Sequence, residues 1–172
     1  MATTATSVSP GRLSGPRAVP STIRRPSYVA NGGMPVSRDL PPLTDPADID
    51  RLRRSCRAAR RVLEAVGPAV APGVTTDDLD AIAHDAYLAE GGYPSPLGYR
   101  GFPKSICTSV NEVVAHGIPD DRALRDGEIV NCDITIYLDG MHGDCSATYL
   151  VGDVAPEVRG LVDVTRAALD AG

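Results

Sequence analysis

Asp133 and Asp144 are the residues whose type and spacing most clearly offer chemistry, because carboxylates held close together bind divalent cations. Between them lies Asp139-Gly140, a dipeptide that favours the two-residue turn of a β-hairpin. With that turn, Asp133 lies opposite Ser146. Thr135 then lies opposite Asp144, so both aspartates share one face, with Cβ atoms within about 8 Å, near enough to hold a pair of metal ions. A three-residue turn would put them on opposite faces, so the predicted metal site depends on this register.

Polar and apolar residues alternate along the same hairpin, which indicates a sheet with one buried face. The alternative to a metal site is that the two aspartates only solvate the exposed face. Aspartate is disfavoured in strands, however, and two on one face repel each other without a compensating cation. The polar face carries Asn131, Asp133, Thr135, Tyr137, His142, Asp144, Ser146 and Thr148, and the apolar face carries Cys132, Ile134, Ile136, Leu138, Met141, Gly143, Cys145 and Ala147.

The elements that must position this hairpin are two helices before it and short strands beside it. The first helix begins at Thr44-Asp45-Pro46, where a polar cap precedes proline, and ends near Gly67. The second begins with a capping box at residues 75–78 and ends at Gly91-Gly92, and we expect His84 on it to be a solvated surface residue. Strands are predicted at residues 105–109, at 112–118 and, for the hairpin, within 128–151; a last helix is capped by Asp153.

The first helix combines an apolar stripe with a strongly basic remainder. We expect the stripe to be buried and the arginines to form a solvated face, with a docking patch for an RNA-rich partner as the minor alternative. The stripe comprises Ile49, Leu52, Cys56, Ala59, Leu63 and Val66, and the arginines are Arg51, Arg53, Arg54, Arg57, Arg60 and Arg61.

Residues 1–43 differ in composition from residues 44–172. Of the 15 prolines, eight fall in the first 46 residues, together with five arginines and only two acidic residues. Such a segment buries too little apolar surface to offset its ordering entropy, so we predict a disordered, Pro/Arg-rich extension over residues 1–43 and a folded domain over residues 44–172. A secretory signal is excluded because no apolar core is present in it, and the prolines oppose the amphipathic helix of a transit peptide.

Composition excludes several further classes of protein. No run approaches the ~18 apolar residues of a membrane-spanning helix, and four widely separated cysteines do not form a disulfide scaffold or a zinc knuckle. A net charge of −5 with 4% aromatic residues argues against specific nucleic-acid binding. These features predict a cytoplasmic protein with no membrane partner.

Three segments together resemble bacterial type I methionine aminopeptidases. They are residues 97–105 (LGYRGFPKS), residues 111–119 (NEVVAHGIP), and residues 126–135 (DGEIVNCDIT) followed by 139–144 (DGMHGD). The resemblance runs from about residue 45 to the end of the chain. It implies the α/β pita-bread fold, first half only, in which an antiparallel β-hairpin carries metal ligands and helices flank it. A pair of aspartates at this spacing alone would be shared with prolidases of the same fold.

The resemblance also implies a role for individual residues. Asp133 would bind one of two divalent metal ions (Co, Mn, Fe, Zn or Ni), and Asp144 would bridge both. His116 would be the catalytic and substrate-binding histidine, although by itself it is as well explained as a strand-end residue. The pocket for the methionine side chain would be lined by Tyr99, Phe102 and Cys107, which are equally suited to core or loop packing.

Two further residues, Thr135 and His142, would orient the metal ligands from outside the first coordination sphere. Cys107 is not expected to be a nucleophile, because no basic partner for its thiol is evident near it in the sequence.

The implied reaction is hydrolysis of the peptide bond after the N-terminal methionine of nascent proteins, by water that two divalent ions activate, with a small second residue preferred. The resemblance thus implies peptide substrates at or near the ribosome and a monomer when full length. The family takes a histidine and two glutamates from its second half, so we expect a truncated chain that is inactive alone and exposes an apolar edge. The alternatives are a non-catalytic half-domain that binds nascent chains or a complementary subunit, and a proline-specific peptidase of the same fold.

Overall fold

The computed structural model describes residues 9–35 and 42–172. Within these ranges the chain forms helices around one antiparallel sheet. The helices are α1 (Ser27–Ala30), α2 (Pro46–Val66), α3 (Thr76–Ala89) and α4 (Pro156–Ala171), and the strands are β1 (Tyr93–Pro94), β2 (Cys107–Val110), β3 (Ile129–Leu138) and β4 (Met141–Leu150).

Strand β3 is the centre of the sheet. It pairs with β4 along its whole length on one edge, and with β2 and then β1 on the other. The predicted hairpin register is confirmed, since Asp133 pairs with Ser146 and Thr135 with Asp144. At the turn, Asp139 has φ 54° and Gly140 has φ 86°, the left-handed geometry that a two-residue hairpin turn requires at both positions.

Helix α2 covers the apolar face of the hairpin. It begins where predicted, because Asp45 accepts a hydrogen bond from the Ala47 amide and Pro46 occupies the first turn. Its buried side chains include Ala58, Ala59, Val62, Leu63 and Val66, which pack in one cluster with the inward side chains of β3.

The predicted stripe of α2 is wrong at Cys56, which is exposed. Ser55 is buried in its stead, and its hydroxyl donates to the Met141 carbonyl at 2.9 Å. The helix lies so close to β4 here that a Cβ at Gly143 would stand 2.2 Å from the Ser55 carbonyl carbon. A small, hydrogen-bonding residue is therefore needed at this contact, so Ser55 replaces Cys56 in the buried face, while Ala59, Leu63 and Val66 are buried as predicted.

The six arginines of α2 are exposed, as predicted. Five of them form ion pairs, which neutralise much of the basic face and so weaken the alternative of a polyanion-docking patch. The pairs are Arg51 with Asp48, Arg53 with Asp50, Arg54 with Asp139, Arg60 with Glu64 and Arg61 with Glu90.

Helix α3 has the predicted capping box, in which the Thr75 hydroxyl caps the Asp78 amide and the Asp78 carboxylate accepts from the Thr75 amide. The prediction of a solvated His84 is wrong, because this side chain is 3% exposed. Its Nδ1 pairs with the Ser105 hydroxyl at 2.8 Å and its Nε2 with the Ala18 carbonyl at 3.0 Å. The residues that bury it are distant in sequence, so the helical pattern alone did not show them.

Residues 9–35 of the N-terminal arm lie against the domain, whereas composition predicts a mobile segment. The Gly11 amide donates to Asp120 at 2.6 Å, Arg17 Nε lies 2.9 Å from the buried Asp80 carboxylate, and Ile23 is buried. Basic and backbone donors of the arm thus meet acidic side chains of the domain, a complementarity that composition averages conceal. Residues 1–8 and 36–41 lie outside the described residues, and the boundary between 1–43 and 44–172 stays a prediction.

The strand predicted over residues 112–118 is wrong. The chain leaves β2 through a turn at Asn111, with φ 50°, and reaches His116, with φ 57°, without pairing in the sheet.

The prediction of Asp153 as the cap of α4 is also wrong, because the N-cap is Ala155 and makes no side-chain cap bond. Large apolar side chains are exposed along α4, namely Leu161 (61%), Val164 (69%) and Leu169 (78%). Among residues 9–35 and 42–172, no helix is both long and apolar enough to cross a membrane.

Candidate active site

The pair of carboxylates lies on the face of the β3–β4 hairpin opposite α2. Thr135 Oγ1 donates to Asp144 Oδ1 at 2.8 Å, which fixes the orientation of that carboxylate. Burial raises the pKa of Asp133, the negative charge of Asp144 raises it further, and His116 opposes the shift. Two negative charges are therefore unfavourable here without a compensating cation, which is the electrostatic condition of a metal site.

Strand β2 adds a further side chain to the same face, because Cys107 lies directly opposite Asp133. Burial, and then the charges of Asp133 and Asp144, raise the pKa of Cys107 to about 12. The thiol is protonated at neutral pH, in agreement with the prediction that it is not a nucleophile. Its position opposite Asp133 is compatible with the predicted role of Cys107 as a residue that lines a substrate pocket.

The loop after β2 carries His116 back towards this face. The Gly117 carbonyl accepts from the Thr108 amide at 2.9 Å, and the Gly117 amide donates to the Ser109 hydroxyl at 3.3 Å. A Cβ at Gly117 would stand 2.1 Å from the Thr108 carbonyl oxygen, so glycine permits this close return. The exposed His116 is thereby held near enough to Asp133 to favour its ionised form.

Tyr99 and Phe102 lie in one loop, residues 97–102, which follows β1. The loop is anchored to the sheet just before it begins, because the Ser95 amide donates to the Thr135 carbonyl at 2.9 Å. The Gly98 amide donates to the Phe102 carbonyl at 2.8 Å and closes the loop. Both rings are half-buried, and the loop joins the sheet at the residue whose hydroxyl binds Asp144.

The resemblance implies that His142 orients a metal ligand, but in the structure its Nδ1 pairs with the Ser95 hydroxyl at 2.8 Å. Its ring centroid lies 4.9 Å from that of Tyr137 and 6.4 Å from that of Tyr28. His142 therefore connects the hairpin to Ser95, just before the loop of residues 97–102, whereas Thr135 makes the expected contact with a carboxylate.

Ser95 and Tyr28 are residues at this site that sequence reasoning missed. The Tyr28 hydroxyl donates to the Ser95 carbonyl at 2.5 Å, so the N-terminal arm reaches the same loop. One signal was available, because Tyr28 is the single aromatic residue among residues 1–43. Ser95 carries no comparable signal, since its role depends on the backbone around it.

Two carboxylate oxygen donors fit part of the ligand set of a hard or borderline divalent cation. In the parts of the chain that the structure describes, no group of three or more His, Cys, Asp or Glu side chains is arranged to hold an ion. Asp133 and Asp144 therefore account for part of the ligand set that such a cation needs.

Comparison with known proteins identifies the family to which this chain belongs. A family profile described as metallopeptidase family M24 matches residues 50–172. This chain belongs to the M24 family. A methionine aminopeptidase 2 of Mycobacterium tuberculosis is 53% identical to it over 165 residues, which are 95% of this chain and 57% of the relative. A mitochondrial methionine aminopeptidase 1D of Danio rerio is 50% identical over 152 residues, which are 88% of this chain and 45% of the relative.

Solved structures show that this chain adopts about half of the pita-bread fold of M24 methionine aminopeptidases. The methionine aminopeptidase of Rickettsia prowazekii is 43% identical, with a TM-score of 0.72, over 74% of this chain and 51% of that chain. Escherichia coli aminopeptidase P is 20% identical, with a TM-score of 0.63, over 73% of this chain and 28% of that chain, and so supports the fold alone. The chain spans about half the length of the curated methionine aminopeptidases it matches.

Proposed function

We propose that this chain supplies one half of a metal-dependent aminopeptidase that removes the N-terminal methionine from nascent proteins, preferring a small second residue. The observation that carries the proposal is the pair Asp133 and Asp144 on one face of the hairpin, with Cys107 opposite Asp133 and with Ser95, just before the loop of residues 97–102, bonded to the sheet at Thr135. The names of the similar proteins support methionine as the first residue of the substrate.

Within this function, Asp133 and Asp144 would hold the metal, and Thr135 would keep the Asp144 carboxylate in a fixed orientation. Two divalent ions at such a site supply Lewis acidity and lower the pKa of the attacking water. His116 would donate a hydrogen bond to the substrate near the scissile peptide bond. Tyr99, Phe102 and the protonated Cys107 would surround the methionine side chain.

Metal binding by the carboxylates is the first test. Mn²⁺ is titrated into the chain, and its paramagnetic broadening of amide NMR signals is followed, a readout that detects weak binding. We expect selective broadening at Asp133 and Asp144 that Asp133→Asn abolishes. Asp139→Asn in the turn of the same hairpin removes an equal charge and should leave the broadening unchanged. Equal broadening in Asp133→Asn and the parent chain would contradict the proposal.

Thr135→Val tests the support of the ligand. Removing the hydroxyl that binds Asp144 should weaken Mn²⁺ affinity about 10- to 100-fold, the usual effect of losing such a partner. Thr148→Val is the matched control, because Thr148 lies on the same face but pairs with Asn131 at 3.1 Å. An unchanged affinity in Thr135→Val would show that the hydroxyl does not support a metal ligand.

Activity distinguishes this function from its alternatives. We expect no turnover of Met-Ala-Ser by residues 1–172 alone, because the described residues provide only part of a metal's ligands. A completed protein, in which residues 1–172 are joined to the other half of the pita-bread fold, should cleave Met-Ala-Ser and leave Ala-Pro-Ser intact. Cleavage of the proline substrate would favour a proline-specific peptidase. Peptide binding without cleavage in the completed protein would favour a non-catalytic half-domain.

The cytoplasm is the compartment we propose, because nascent chains are the proposed substrates. Some similar proteins are named as mitochondrial or chloroplastic enzymes, so cell fractionation is the appropriate check. Ribosome proximity and a monomeric state are part of the same proposal, and co-sedimentation with ribosomes and gel filtration would test them.

A further inference from the structure

A short turn of the N-terminal arm packs against the pocket loop, residues 97–102. Tyr28, in α1, is 6% exposed, and its ring meets that of Tyr99 edge-on, with centroids 5.2 Å apart and planes at 84°. Its hydroxyl donates to the Ser95 carbonyl, at the start of the loop. One aromatic side chain of the arm therefore contacts both the base of the loop and the ring that we assign to the substrate pocket.

The backbone of the same turn makes a second contact with the loop. The Gly33 carbonyl accepts from the Arg100 amide at 2.9 Å. A Cβ at Gly33 would stand 2.3 Å from the Gly98 carbonyl oxygen, so no other residue fits there without displacing the arm or the loop. Gly32 also has a positive φ, of 60°, but no atom lies within 4 Å of where its Cβ would be.

The pocket loop has a conformation that needs such support. Arg100 has φ 50°, a left-handed geometry that non-glycine residues adopt only when their surroundings impose it. The Arg100 amide is the group that Gly33 holds. The neighbouring Tyr99 must follow the same backbone, so the arm restrains the orientation of its ring.

We propose that Tyr28 and Gly33 are positioning residues for the substrate pocket, and that they hold the Tyr99 loop in the shape that recognises the first side chain of the peptide. This rests on the proposed aminopeptidase function for the meaning of recognition, but not for the contact itself. The arm would then contribute to selectivity without touching the substrate. An arm that only strengthened the fold would affect stability and leave substrate preference unchanged.

The first experiment needs no activity. Amide hydrogen exchange of residues 97–102 is measured by mass spectrometry in the chain and in Gly33→Ala and Gly32→Ala. Both substitutions place alanine at a positive φ, but only Gly33→Ala meets the loop. We expect loop exchange to become about tenfold faster in Gly33→Ala and to stay at the parent rate in Gly32→Ala. Equal exchange in the two variants would overturn the proposal.

The second experiment separates positioning from stability, in a completed protein that cleaves Met-Ala-Ser. Tyr28→Ala should raise KM about tenfold with kcat within about twofold, and should reduce the preference for methionine over leucine in the first position. Tyr28→Phe retains the ring against Tyr99 and should recover most of that preference. A fall in apparent kcat with KM and preference unchanged would show a purely structural role and overturn the proposal. If the completed parent protein cleaves no methionine peptide, the proposed function fails, and the exchange experiment still decides whether the arm holds the loop.

Discussion

Gly143→Ala tests the closest approach of helix to sheet in this fold. Gly143 lies on β4 opposite Ile136, and its Cβ would stand 2.2 Å from the Ser55 carbonyl carbon and 2.5 Å from the Cys56 amide nitrogen. Both are backbone atoms, so no side chain can rotate away. Because even tight Cβ contacts lie at 3.0–3.4 Å, α2 and β4 must separate by about 1 Å to relieve this overlap.

The energetic cost follows from what α2 buries. Val62, Leu63 and Val66 are at most 1% exposed, and each contributes roughly 1.5–3 kcal/mol on burial. A gap of about 0.5–1 Å forfeits a quarter to a half of the dispersion attraction across it. The same separation would strain the hydrogen bond from Ser55 to Met141, which is worth about 1 kcal/mol. Together these losses predict a decrease of about 2–5 kcal/mol in the free energy of unfolding.

Urea denaturation followed by circular dichroism at fixed pH measures this loss. Gly160→Ala is the matched control, because Gly160 lies within α4 with open space around it, and alanine there should raise stability by roughly 0.5–1 kcal/mol. The two substitutions add the same methyl group and should change stability in opposite directions. A loss below about 0.5 kcal/mol in Gly143→Ala would refute the reasoning, because it would mean that α2 moves freely over the sheet.

Two further predictions concern protonation. Hydrogen bonds from the Thr75 hydroxyl and amide hold the pKa of Asp78 below its usual value, so the stability that its ionised form contributes is present above about pH 4 and is lost as pH falls further. Asp78→Asn should therefore lose less stability between pH 5 and pH 3 than the parent chain or Asp85→Asn in urea denaturation, and an equal loss in all three would contradict this. For the thiols, iodoacetamide at pH 8 should label the exposed Cys56 within minutes and leave Cys107, with a pKa raised by burial to about 12, unlabelled until the protein unfolds. Peptide mapping by mass spectrometry checks this, and rapid labelling of Cys107 would mean that the β2–β3 face is open.

Local features of the fold were predictable from sequence because they depend on neighbouring residues. The Asp139-Gly140 turn and the alternation on either side of it determined the hairpin register, and the register placed Asp133 and Asp144 on one face. The helix caps followed in the same way from Asp45 and from residues 75–78. Each of these features depends on atoms only a few residues apart or on a pair of strands joined by a tight turn.

Other features required partners that no local pattern reveals. Residues 112–118 contain several β-branched residues, but Gly117 packs against the Thr108 backbone and the segment does not form a strand of the sheet. The pattern of α3 predicts that His84 is a surface residue, but hydrogen bonds to Ala18 and Ser105, which lie outside the helix, hold it in the interior. In both cases the deciding contacts come from another part of the chain.

The sequence by itself determined that two carboxylates share one face of a hairpin, and it carries the motifs that resemble methionine aminopeptidases. Only the tertiary structure decided what surrounds those carboxylates, including the approach of α2 to Gly143 and the packing of Tyr28 and Gly33 on the pocket loop. The physical reason is the range of the interactions. A turn and its register are set by backbone preferences of adjacent residues, whereas the Tyr28 hydroxyl reaches a carbonyl 67 residues away, and such a pairing depends on how the whole chain packs.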